Sequence, residues 1–260
     1  MDDHLTALAD WLDERLPLAE PVPEILERAP ALTATEAYRI QAALMDRHVA
    51  RGDRIVGYKA ALTSKAMQEM AGVGEPLLGT LLASRVFPEA EPIALGGFLK
   101  ATLEPEVAVL LRGELRGPGV TPLDALAAVA GYLPAVELGD YRTGENARSL
   151  QQTLVCNTFS GGIVLGGPLS APAGLDLRTE GMVLTRNGEV CGSATCVEVL
   201  GDPLRSVAFM ANKLAEQGGW LRPGMVLMTG SIVRSIPLAP GDEVRVDFTR
   251  LGTLHLRCAD

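Results

Sequence analysis

Two glutamates one residue apart, Glu104 and Glu106, and a third, Glu137, stand in strongly apolar runs: Ala-Thr-Leu-Glu-Pro-Glu-Val-Ala-Val-Leu-Leu (101–111) and Tyr-Leu-Pro-Ala-Val-Glu-Leu-Gly-Asp (132–140). Such runs read as buried strands. Alternate residues of a strand share a face, so Glu104 and Glu106 are expected to point the same way. Two ionised carboxylates on one buried face repel each other and lose their hydration. A hard divalent cation would relieve both costs, and oxygen-only ligation favours Mg²⁺ or Mn²⁺ over zinc. The expectation is a metal site with Glu137 as third ligand. The competing reading is three glutamates that face solvent or pair with Arg or Lys. Pro105, between the first two, implies a strand edge or a bulge.

A second segment, Gly57-Tyr-Lys-Ala-Ala-Leu-Thr-Ser-Lys65, sets Lys59 among apolar neighbours in a strand, with Thr63-Ser64 capping a helix that begins at Lys65. Burial lowers a lysine's preference for its charged form, so Lys59 could shuttle protons. A snorkelling surface lysine is the alternative. Around Asn157 the chain reads Val-Cys-Asn-Thr-Phe-Ser-Gly-Gly-Ile-Val-Leu-Gly (155–166). Its small polar residues could donate hydrogen bonds to a ligand or simply form a turn. The backbone amides of Thr229-Gly230-Ser231, with Arg234, could hold a carboxylate, or the segment could be a surface hairpin.

These residues must be positioned by the elements around them. Leu5, Leu8, Ala9, Leu12 and Leu16 predict an amphipathic helix over 4–17. A short helix at 23–28 follows, then one from Thr33 to about His48. Residues 1–52 read as a helical segment and 53–260 as a catalytic domain. In the latter, short apolar runs alternate with Gly/Pro turns, which predicts many short strands. Helices start at Thr121-Pro122 and Asp202-Pro203, each with an N-cap followed by proline. The class is α+β: a strand-rich mixed β-roll or barrel with flanking helices.

The chain has 260 residues, 47% of them hydrophobic but only 4% aromatic, so its core must be aliphatic. A net charge of −9 without a basic cluster argues against nucleic acid. No apolar run is long enough for a membrane span, and the acidic start lacks the features of a signal peptide; cytoplasmic residence is the default. Four dispersed cysteines and three scattered histidines favour neither a disulfide framework nor zinc. No Gly-x-Ser-x-Gly elbow or Gly-x-Gly-x-x-Gly fingerprint is present.

In this order the segments resemble the fumarylacetoacetate hydrolase superfamily, specifically its 2-keto-4-pentenoate hydratase and 4-oxalocrotonate decarboxylase branch. The segment Gly57-Tyr-Lys-Ala-Ala-Leu-Thr-Ser-Lys-Ala-Met-Gln68 is similar to the hydratases' Gly-x-Lys-x-Gly-Leu-Thr-Ser-x-Ala-Met-Gln. Leu103-Glu-Pro-Glu-Val-Ala, Pro134-Ala-Val-Glu-Leu-Gly-Asp140, Asn157 and Gly201-Asp-Pro203 extend the likeness over nearly the whole chain. The resemblance implies Mg²⁺ or Mn²⁺ on Glu104, Glu106 and Glu137, with Lys59 beside metal and substrate. It also implies Ser160 and Thr229-Gly230-Ser231 in the pocket, and a homodimer or larger assembly, with a possible complex between hydratase and decarboxylase.

The substrate it implies is a small 2-oxo or 2-hydroxy dienoic acid, whose C2 oxygen gains negative charge during reaction. Leu77 stands where the hydratases carry an acid; in having an apolar residue at this position the chain resembles the decarboxylases. The 57–68 segment and the tail match the hydratases better. The expectation is therefore a hydratase, with a decarboxylase as the alternative. An acylpyruvate-type C–C hydrolase or a non-catalytic paralogue stands behind both.

Overall fold

The computed structural model describes residues 3–18, 20–144 and 149–260. Its helices are α1 (Asp3–Arg15), α2 (Ile25–Arg28), α3 (Ala34–Ala50), α4 (Lys65–Ala71), α5 (Pro122–Ala128), α6 (Leu150–Val155) and α7 (Pro203–Ala215). Its strands are β1 (Ile55–Ala61), β2 (Leu77–Leu82), β3 (Val86–Phe87), β4 (Ile93–Ala94), β5 (Ala101–Leu111), β6 (Val129–Asp140) and β7 (Ser160–Leu165). They continue with β8 (Gly181–Arg186), β9 (Glu189–Thr195), β10 (Val226–Met228), β11 (Ile236–Pro237), β12 (Glu243–Phe248) and β13 (Gly252–Ala259).

Local chemistry sets most helix starts. Thr33 with Glu36, and Thr121 with Asp124, form reciprocal capping boxes that satisfy the first orphan amides of α3 and α5. Ser64 caps α4, and Asp202 caps α7 ahead of Pro203. Helix α6 was not expected from the sequence. It is a single turn and a half, capped by Ser149, and too short to show a periodic stripe.

The strands form two sheets. One runs β2-β1-β10-β5-β6-β7-β3, with β11 also beside β5; the other runs β4-β13-β12-β8-β9. The long antiparallel pair β5–β6 is the spine of the first. The core is aliphatic as composition requires: Leu and Ile dominate its largest fully buried side chains, with Tyr132 the aromatic exception. Leu5, Leu8, Leu12, Ile40 and Leu44 of the N-terminal helices join the same core.

Pro105 is accommodated differently from expectation. Strand β5 is interior and unbulged at this point, where Pro105 faces Val136 of β6. On its other side the neighbouring strand is interrupted. Strand β10 pairs no further than Ala108, and β11 takes over at Leu103. The Pro105 carbonyl accepts from Ile232 N at 3.1 Å. In an antiparallel strand a residue's N–H and C=O point to the same side, so the missing N–H falls in that gap and costs no ladder bond.

The outer edge of β2 is closed by side chains. Leu78 N donates to Tyr38 Oη at 3.0 Å, and Gln41 Nε2 donates to Leu78 O at 3.2 Å. Two residues on, Asn157 takes both backbone groups of Thr80. An open strand edge is thereby blunted without another strand. Among the described residues, no helix is long and apolar enough to cross a membrane.

Candidate metal centre

Glu104 and Glu137 face each other directly across the β5–β6 ladder, and Glu106 lies two residues along β5 on the same face. One carboxylate oxygen from each lies within 4.8 Å of the others. Glu106 is 0% exposed and Glu137 2%, while Glu104 is partly exposed. Glu106 Oε2 accepts from Gly230 N at 2.7 Å, but its Oε1 is buried with no hydrogen-bond partner. A buried carboxylate oxygen without a donor is costly. It fits a hard cation at this point, as do the oxygen-only donors and their spacing.

Lys59 enters from β1. It is 4% exposed, with Nζ 2.8 Å from Glu137 Oε1 and donating to Thr158 O at 2.9 Å. Glu106 and Glu137 are therefore shut off from solvent and Glu104 is only partly exposed; of the three, Glu137 carries a lysine. Strands β1 and β6 are three positions apart in the sheet, roughly 14 Å if flat. Only the curl of the roll brings Nζ to Glu137.

The electrostatics follow from burial. Desolvation first, then the Glu137 charge, pushes Glu104 up to about 7 against the pull of Lys59. Desolvation, then Glu137 and Glu104, holds Glu106 well above the ordinary carboxylate range. For Lys59, burial acts to lower the pKa, as expected from sequence. Glu137 and Glu104 outweigh it, and the ammonium is held above its ordinary value. In the metal-free cluster the net direction is thus opposite to the weakening of the charged form that burial alone would give.

A pH dependence follows. A Glu104 pKa raised on folding means the folded state holds a proton that the unfolded chain releases. That contribution to stability is complete below the ordinary carboxylate pKa and is lost as pH rises through about 7. In the presence of a chelator, Tm should therefore fall between pH 5.5 and 8. Saturating Mg²⁺ should flatten or reverse that trend, because the cation replaces the protons. Calorimetric scans at the two pH values, with and without metal, measure both.

Gly79 is a residue that sequence reading passed over. It pairs with Lys59 across β1–β2. A Cβ there would collide with Thr158 Oγ1 and lie 2.9 Å from Cγ and Cε of Lys59. Glycine leaves the slot in which the lysine stem lies. Gly79→Ala should cost about 1–3 kcal/mol by overpacking and displace Nζ, read as lower stability in urea together with lower kcat. The signal was present in Pro76-Leu-Leu-Gly79, but the identity of its neighbour was not.

Leu77 is buried and pairs with Ala61, two residues beyond Lys59, so it shares the lysine's face. The other sequence-predicted residues are bound differently. Thr229 is fully buried, and its hydroxyl donates to Val107 O at 2.9 Å. Ser231 Oγ donates to Val233 O at 2.5 Å. Asn157 spends its amide on Thr80. Ser160 lines a cavity beside Asn157, Asp140 and Arg142 whose lining includes none of the three glutamates. Arg234 is exposed. The backbone of 229–231 does hold a carboxylate, but it is the protein's own Glu106.

Residues 48–258 match the family described as Fumarylacetoacetate (FAA) hydrolase C-terminal, and the chain belongs to that family. It is 33% identical to 4-oxalocrotonate decarboxylase of Pseudomonas sp. (strain CF600), covering 98% of this chain and 97% of that protein. It is also 33% identical to 2-oxo-hept-4-ene-1,7-dioate hydratase of Escherichia coli, covering 97% of each. The solved 4-oxalocrotonate decarboxylase from Pseudomonas putida G7, complexed with magnesium and adipate, matches with a TM-score of 0.95. That match is at 32% identity and covers 98% of this chain and 97% of that one. The expected family and α+β roll stand, and hydratases and decarboxylases alike are lyases.

Proposed function

We propose that the protein is a metal-dependent lyase for small 2-oxo or 2-hydroxy dienoic acids. The buried trio Glu104, Glu106 and Glu137, with Lys59 against it, carries this reading. Mg²⁺ or Mn²⁺ held by the three glutamates would supply a Lewis acid that favours negative charge on the substrate's C2 oxygen. Lys59 moves the proton that the bond change requires, from a site dry enough to keep bulk water out of the exchange. Thr158 O and Glu137 fix its reach.

Of the two lyase reactions, loss of CO₂ is favoured over addition of water by Leu77. The residue is buried, apolar and on the lysine's face. Addition of water needs a second proton carrier, whereas release of CO₂ from the vinylogous end leaves the charge on the C2 oxygen with less help. Relatives of both kinds support the shared chemistry. The three histidines lie in α1, α3 and β13, none of which carries the cluster, which disfavours a C–C hydrolase. Assembly into a homo-oligomer, alone or with a related lyase, accompanies this reading and is checked by light scattering.

An ultraviolet assay with 2-oxohex-3-enedioate and 2-hydroxypenta-2,4-dienoate, run alongside CO₂ detection, tests it. CO₂ from the diacid is the expected result. Hydration of the dienoate without CO₂ release would restore the hydratase, and turnover of neither would overturn the lyase reading.

A further inference from the structure

Three consecutive non-glycine residues, Asn157, Thr158 and Phe159, adopt left-handed backbone, with φ of 51°, 51° and 58°. Asparagine tolerates this region; a β-branched threonine and a phenylalanine rarely enter it. Such strain persists only where the surroundings over-determine it. Here Asn157 Oδ1 accepts from Thr80 N at 2.8 Å, and Nδ2 donates to Thr80 O at 2.9 Å. Thr158 Oγ1 donates to Asn157 O at 2.8 Å, and Phe159 stacks on Tyr141 with ring centroids 5.3 Å apart.

The turn's product is a carbonyl. Thr158 O accepts from Lys59 Nζ at 2.9 Å, an aim that ordinary right-handed or extended backbone would redirect. Strand β2 thus supplies two neighbouring pieces: Thr80, which anchors the turn, and Gly79, over which the lysine stem runs.

The geometry points to Asn157 as a positioning residue for Lys59. Its amide, locked on the Thr80 backbone, holds the turn whose Thr158 carbonyl shares the ammonium with Glu137 and so keeps it from turning towards Glu104. The inference rests on the lysine and metal roles proposed above. Without the clamp the turn relaxes, the carbonyl withdraws, and Nζ, already 2.8 Å from Glu137 Oε1, turns further into the cluster towards Glu104, where it competes with a cation. A residue serving only to close the edge of β2 would act on stability alone.

Asn157→Gly separates the two roles. Glycine accepts left-handed φ without strain, which protects folding, while the clamp is deleted. In the full chain, titration calorimetry with Mn²⁺ should show affinity about tenfold weaker. With Mn²⁺ saturating, kcat should fall about 10–100-fold while KM stays within about twofold. Tm should fall by only a few degrees, for the two hydrogen bonds lost to the buried Thr80 backbone. In a Lys59→Met background the same substitution should leave Mn²⁺ affinity unchanged, because the competing ammonium is gone. An equal loss of affinity in both backgrounds, or a fully active Asn157→Gly enzyme with parental affinity, overturns the proposal. Full turnover by Lys59→Met alone would instead sink the lysine's catalytic role, and the Mn²⁺ cycle would still decide on Asn157.

Discussion

Glu106→Gln should abolish tight Mg²⁺ or Mn²⁺ binding and lower turnover by about a thousandfold or more, yet leave the metal-free fold as stable as before or more so. The two effects have one origin. Glu106 is fully buried and held well above the ordinary carboxylate range by desolvation and by Glu137 and Glu104. Its Oε2 takes the Gly230 amide, while Oε1 has no hydrogen-bond partner. A glutamine has nearly the same shape. Its carbonyl can accept from Gly230 N, and it brings no charge into a cluster already crowded with carboxylates. Without metal the substitution therefore removes repulsion and a desolvation cost. With metal it removes an anionic ligand. Calorimetric titration with Mn²⁺ and a chelator-treated thermal scan read the two arms separately. A variant that binds metal normally would remove Glu106 from the proposed ligand set.

Lys59→Met should fail in the opposite sense. Its stem is retained, so packing over Gly79 survives, but the cation reaching Glu137 is lost. Removing one partner of a buried pair strands the other, at a cost of about 3–5 kcal/mol. The metal-free variant should therefore melt well below the parent near neutral pH. Its deficit should shrink as pH falls and the carboxylates take up protons. Saturating Mg²⁺ should recover much of the loss, since a divalent cation supplies the missing charge. Turnover should not recover: loss of a positioned proton carrier costs about 10²–10⁴-fold. Melting curves with and without Mg²⁺, set beside kcat, distinguish a lysine that only neutralises from one that also transfers protons. Metal-restored turnover would reduce Lys59 to a counter-charge.

Much of this site was legible in the residues themselves. A carboxylate inside an apolar run is a local anomaly, and the period of two along a strand places Glu104 and Glu106 on one face whatever surrounds them. The capping signals at Thr33, Ser64, Thr121 and Asp202 act within one turn of chain, and the helices begin where those signals stand. Helix α6 lacked the length to declare itself. Pro105 misled because its neighbour on one side is a gap between two short strands, which only pairing across distant segments can reveal.

The side chains read as ligand contacts show the limit most clearly. Asn157, Thr229 and Ser231 are small polar residues beside glycines, a pattern equally suited to holding a ligand and to holding backbone. Their partners here are Thr80, Val107 and Val233. For Asn157 and Thr229 those partners lie 77 and 122 residues away in the chain.

The amino-acid sequence alone determined the kind of chemistry. It set oxygen-only donors on a shared strand face, a lysine in an apolar strand, an aliphatic core and the family. Tertiary structure decided which oxygens converge, that Lys59 keeps its charge, and that Gly79 and Thr158 O shape the lysine's path. The physical reason is range. Periodicity and capping act over a few residues, whereas desolvation and charge–charge coupling depend on which distant strands the curl of the sheet brings together.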